Sequence, residues 1–124
     1  MDDELRARLA RIEGVTESPS TFSSSDAWWC NGKEIAHFDA DDVIDVRLTR
    51  AVIREMRGDL RSDSRVELRK NVSDWIEVRL SSDDDVAFVV RLVGRAVAAH
   101  RAAPGEMPKS PPSGADLERR RRFH

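Results

Sequence analysis

The chain has 124 residues, with 23 acidic and 21 basic side chains and a formal charge of −2, so no net field steers the whole molecule towards nucleic acid. A hydrophobic content of 40% suits one domain that buries roughly two-thirds of its unfolded surface, and the lone Cys30 excludes an internal disulfide and a multi-cysteine zinc site. The opening Met1-Asp2-Asp3-Glu4 reads as neither a secretory nor a transit leader. The longest apolar stretch, within 86–99, is interrupted by Arg91 and Arg95, short of the ~20 residues a membrane span needs. A cytoplasmic protein without a membrane segment is the expectation.

In chain order, a first helix is expected over 2–13, where Leu5, Leu9 and Ile12 share a face, acidic residues favour the N-terminal dipole and Gly14 stops the helix. A Ser-rich linker over 18–25 follows. Next, Trp28-Trp29-Cys30 and Lys33 to Phe38 flank Asn31-Gly32, the strongest short-range signal for a two-residue hairpin. The acidic turn at 39–42 leads into a third strand, with Ile44, Val46 and Leu48 on the core face and Val43, Asp45 and Arg47 opposite. Thr49 is the expected N-cap of a short helix to about 57, carrying Val52, Ile53 and Met56 inward, with Gly58 past its end and a solvated loop to Asp63.

Two further strands are expected over 65–69 and 75–80, with Ile76, Val78 and Leu80 inward and Trp75, Glu77 and Arg79 outward. Ser82 and the acids at 83–85 then open a long helix to about 101, whose valines form one stripe. The fold class is therefore α+β, a mainly antiparallel five-stranded sheet in the order α-β-β-β-α-β-β-α with helices on one face. The domain is expected to span 1–103. Residues 104–124, which hold four of the five prolines and the arginines at 119–122, are expected to form a disordered tail.

The run Gly32-Lys33-Glu34-Ile35-Ala36-His37-Phe38, then Asp45-Val46-Arg47-Leu48, then Ser73-Asp74-Trp75-Ile76-Glu77-Val78-Arg79-Leu80, resembles in order and spacing the luciferase-domain family of small, essentially uncharacterised bacterial and archaeal proteins. The resemblance covers about 15–101. It departs at Asp39, where the family often has a second histidine, and at Lys33, where arginine is usual. No residue pattern is a recognisable flavin or luciferin site, so the family name does not imply light emission here. The meander, short helix, Trp-led strand and terminal helix are also similar in architecture to the MmcQ/YjbR-like family. That similarity implies a two-winged shape suggested to bind DNA, although architecture alone does not carry function.

His37, with Asp45 and the acids at 39, 41 and 42 nearby, is the one cluster with acid/base residue types, and the expected state is a sheet histidine beside a solvated acidic turn. No second His or Cys completes a metal set, and no cofactor is implied. Cys30 is expected to pack as a small hydrophobe. Of the adjacent Trp28 and Trp29 only one can enter the core, which makes the other, with Trp75, Arg47 and Arg79, a binding-surface candidate. The leading expectation is thus a non-enzymatic binding or regulatory module acting on a protein partner. Second comes a nucleic-acid-binding protein using a two-winged sheet surface and the arginine tail, and third an enzyme with an acid/base site at His37.

Overall fold

A computed structural model describes residues 2–22 and 25–101. Six strands form one antiparallel sheet: β1 (Thr16–Pro19), β2 (Asp26–Cys30), β3 (Lys33–Ala40), β4 (Val43–Arg47), β5 (Val66–Leu68) and β6 (Trp75–Arg79), in the spatial order β1-β2-β3-β4-β6-β5. The helices are α1 (Asp2–Ala10), α2 (Arg50–Glu55), α3 (Arg57–Ser62) and α4 (Asp83–Arg101). The α+β class and the antiparallel meander stand as expected. The strand count does not: β1 runs from just before the expected linker into its first two residues, Ser18 and Pro19, and pairs Glu17 with Trp28 and Ser18 with Ala27. Short polar strands of this kind carry no apolar alternation, and a neighbouring ladder of backbone hydrogen bonds recruits them.

The Asn31-Gly32 turn has φ of +55° and +77°, the geometry that joins right-twisted strands in a two-residue hairpin, and Cys30 pairs with Lys33 across it. Beyond the turn, Glu34 faces Trp29 whereas Ala36 faces Trp28, so Ile35 is an extra residue in β3, a bulge. A strict two-residue alternation would put His37 on the face of Ile35, and the bulge breaks it. Ile35 goes into the apolar core, and Glu34 and His37 come to lie on the same, opposite face.

The helix-side core is built from Ile44, Val46, Leu48, Ile76, Val78 and Leu80, all 2% exposed or less, packed against Leu5 and Leu9 of α1 and Val86, Val89, Val93 and Ala96 of α4. At the start of α4, Asp85 accepts the Ser81 and Ser82 backbone N–H groups at 2.7 and 3.1 Å, satisfying donors left open by the first turn. Arg65 binds the same carboxylate at 3.2 Å and lies 3.9 Å from the Phe88 ring centre.

Two helix boundaries differ from expectation. α1 ends at Ala10, because Arg11 and Ile12 bond to carbonyls three residues back and tighten the chain before Gly14, whose φ is +90°. After α2, capped by Thr49, the chain does not enter a loop: Met56 leads directly into α3, with Gly58 inside it. Leu60, 1% exposed, supplies the buried anchor that turns an acidic-basic stretch into a helix. The tail expected over 104–124 lies outside the described residues. Among the described residues no helix is long and apolar enough to cross a membrane.

Candidate functional site

The sheet face away from the helices carries a row of ionisable side chains set by register. His37 is opposite Asp45, Asp45 opposite Glu77, and Glu77 opposite Glu67. His37 and Asp45, the sequence candidates for acid/base work, do come together: Nε2 of His37 is 2.9 Å from Oδ2 of Asp45. Sequence reasoning missed the third member, Glu34, whose Oε2 is 2.8 Å from His37 Nδ1. A strict two-residue alternation puts Glu34 on the wrong face, and only the bulge at Ile35 brings it round.

The cluster is sealed rather than solvated, which corrects the expected solvated acidic turn. His37, Glu34 and Asp45 are each 2% exposed. The stretch after β1 closes over them: the Ser20 hydroxyl donates to Glu34 at 2.8 Å, the Thr21 backbone N–H donates at 2.6 Å, and the Phe22 ring centre lies 5.5 Å from that of His37. Trp75 stands on the other flank, 4.9 Å from the imidazole and edge-on to Phe22 at 5.7 Å. Arg69 reaches Asp45 Oδ2 at 3.4 Å, while Asp45 Oδ1 has no hydrogen-bond partner.

Burial alone would lower the His37 pKa, but hydrogen bonding and charge from Asp45 and Glu34 outweigh it and raise it to about 9. Burial would likewise raise Glu34, yet His37, the Thr21 N–H and the Ser20 hydroxyl hold it below the ordinary carboxylate range. At neutral pH the ring is therefore an imidazolium between two carboxylates, with no free nitrogen to accept a proton. The two carboxylates approach opposite ring nitrogens and so cannot share one ion with the imidazole. Among the described residues no group of three or more His, Cys, Asp or Glu side chains is arranged to hold a metal.

The proposed tryptophan surface is not a surface. Trp28 and Trp29 are 0% and 2% exposed and Trp75 is 9%. Trp28 enters the helix-side core beside Phe38, while the other face is roofed, with Trp29 Nε1 donating to the Ser18 carbonyl at 3.4 Å. Arg47 pairs with Asp74 at 3.5 Å and lies 5.9 Å from the Trp75 ring centre, whereas Arg79 is exposed at the far end of β6. These candidates therefore do not converge on one site. Cys30 is buried, and burial pushes its thiol pKa up, in keeping with an inert packing residue.

The feature that does open to solvent is a cleft of about 480 Å³ between α2–α3 and the connection from β5 to β6. Six cations line it, Arg50, Arg54, Arg57, Arg61, Arg69 and Lys70, and no carboxylate does. All six are exposed, and among the described residues only Arg69 makes an ion pair. Trp75 and Leu68 contribute apolar wall, and Val72, 76% exposed, stands at the cleft. A sequence signal existed: Arg50 and Arg54, and again Arg57 and Arg61, are four residues apart, which puts each pair on one face of its own helix once 57–62 is known to be helix.

Compared with known proteins, residues 32–96 match the family model described as Luciferase domain. The match does not show the architectural similarity to MmcQ/YjbR-like proteins. No curated protein and no solved structure matches the chain.

Proposed function

The chain belongs to the luciferase-domain family, and on that premise we propose that it is a non-enzymatic binding or regulatory module of the cytoplasm whose working surface is the cationic cleft. The observation that carries this reading is the contrast in accessibility. His37, Glu34 and Asp45 are paired and sealed, whereas the cleft is lined by six exposed cations and no carboxylate, and among the described residues five of the six have no ion pair. A general base needs a free lone pair within reach of substrate, and the charged, doubly engaged His37 offers none near pH 7. Unpaired cations gathered around a concavity have the opposite character: their charge is offset only when something anionic binds. The partner is accordingly one that presents negative charge, and a protein partner would do so through an acidic or phosphorylated segment.

The test pairs a turnover screen with a binding screen on the purified chain. Hydrolase and oxidase panels are expected to show no activity that depends on His37. Thermal shift against anionic ligands is expected to show stabilisation that weakens with salt, as mass action on a charged site requires. An activity abolished by His37→Ala in protein that remains folded would overturn the reading.

A further inference from the structure

Resting on that reading and naming its ligand, we infer that the cleft binds the phosphate backbone of a single strand of nucleic acid. Three observations converge. The first is the form of the cationic wall. Arg50 and Arg54 are one turn apart on α2, Arg57 and Arg61 are one turn apart on α3, and at a rise of ~1.5 Å per residue each pair spans about 6 Å along its own axis. A row extended in this way fits charges strung along a chain better than the compact charge of one small anion.

The second is the kind of cation. Five of the six are arginine, whose planar fork engages two phosphate oxygens at once, and no carboxylate in the lining competes for those donors. Arg69 and Lys70 face the helical row from the opposite wall, so a strand lying in the cleft meets positive charge on both sides. The third is the apolar content. Exposed Val72 and half-buried Leu68 stand among the cations, with buried Trp75 behind them, so the charged groove also offers apolar surface for the less polar parts of an unpaired strand. Because the whole molecule carries −2, this attraction is local, and binding is expected to depend steeply on salt.

The experiment is fluorescence anisotropy of the full chain with fluorescein-labelled dT12, titrated from 50 to 300 mM salt. ATP and a twelve-residue poly-glutamate serve as competitors. Wild type is expected to bind with a log–log salt slope of about −3 to −4, at ~0.7 per phosphate contacted. The double reversal R54E/R57E changes two exposed helix positions, so its melting temperature stays close to wild type. It is expected to weaken binding at least tenfold and to flatten the slope by about 1.4. The neutral pair R54Q/R57Q should fall between the two. A full-length variant with serine at 119–122 separates the tail from the cleft and is expected to retain affinity within about threefold.

Binding that survives R54E/R57E but vanishes in the tail variant would overturn the inference. Displacement of dT12 by ATP or poly-glutamate at equal charge would also overturn it, while leaving an anion-binding module standing. If neither dT12, ATP nor poly-glutamate binds, the inference and the proposed function fall together.

Discussion

The molecule handles charge in two opposite ways within a short distance. On the closed sheet face, His37, Glu34 and Asp45 are nearly inaccessible and neutralise one another, with Arg69 adding a second positive charge at the edge. At the cleft, Arg50, Arg54, Arg57, Arg61 and Lys70 stand in water without ionic partners among the described residues. Removing charges from water is costly unless geometry and hydrogen bonds compensate, so the first arrangement is a commitment of the fold. The second costs the fold little, because solvated like charges at exposed positions are well screened. Residue types that suggest chemistry are here packed inside the sheet, and residues that pass for an ordinary solvated surface line the open cleft. Arg69 belongs to both regions, since it lines the cleft and touches Asp45.

The sharpest way to break this comparison is His37→Ala. Deleting the cation leaves buried Glu34 without a counter-charge and Asp45 with only the exposed Arg69, and removal of one partner of a buried pair typically costs about 3–5 kcal/mol. Denaturant unfolding measures this directly, and a loss below ~1 kcal/mol would mean that the cluster is not held as described. Were His37 a solvent-facing catalytic group, the same change would leave the melting temperature within a few degrees.

A smaller, graded effect follows from pH. The folded state holds the His37 proton more tightly than the unfolded chain does, its pKa rising from the ordinary 6.5 to about 9. That contribution is therefore full below about pH 6.5 and is lost as pH climbs towards 9. Glu34 has the opposite sign: its pKa is lowered from 4.5, so its contribution is present above that value and lost as the solution is acidified. Melting temperature is expected to peak between about pH 5 and 6.5. A curve that stays flat from pH 6.5 to 9 would contradict an imidazolium interior.

The hairpin supplies the third test, because it sets the register from which the bulge delivers Glu34. Gly32 has φ of +77°, strained for a β-branched residue, and Gly32→Val is expected to destabilise by more than ~1 kcal/mol. An unchanged thermal midpoint would remove the turn from the account. The smallest stability effect belongs to the cleft: R54E/R57E should lie within about 0.5 kcal/mol of wild type, as exposed substitutions usually do. Comparable losses in this variant and in His37→Ala would erase the distinction between the two regions.

Much of the frame was legible from residues alone because it depends on local rules. Asn-Gly between apolar runs specified the turn, and the alternation at Ile44, Val46 and Leu48 specified the buried face of β4. The acidic start of α4 marked its boundary. The candidate site was half legible. His37 and Asp45 were identified as a pair of interest, and the structure brings them to 2.9 Å. Glu34, the burial of Trp29 and Trp75, and the arginine row were not foreseen. Each depends on an element that sequence periodicity misassigned: the bulge at Ile35, strand β1 with its closing segment, and helix α3.

What the sequence determined by itself, then, is the class of fold, the hairpin register and the core stripe, since backbone sterics and hydrophobic period act over a few neighbouring residues. Tertiary structure alone decided which charges are sealed and which are open. One extra residue in β3 reverses the face of everything beyond it, and Ser20, Thr21 and Phe22 close over Glu34 and His37 from a part of the chain whose own composition predicts only linker. The accessibility of a charged group is a property of what packs over it, and here that packing comes from residues distant in sequence.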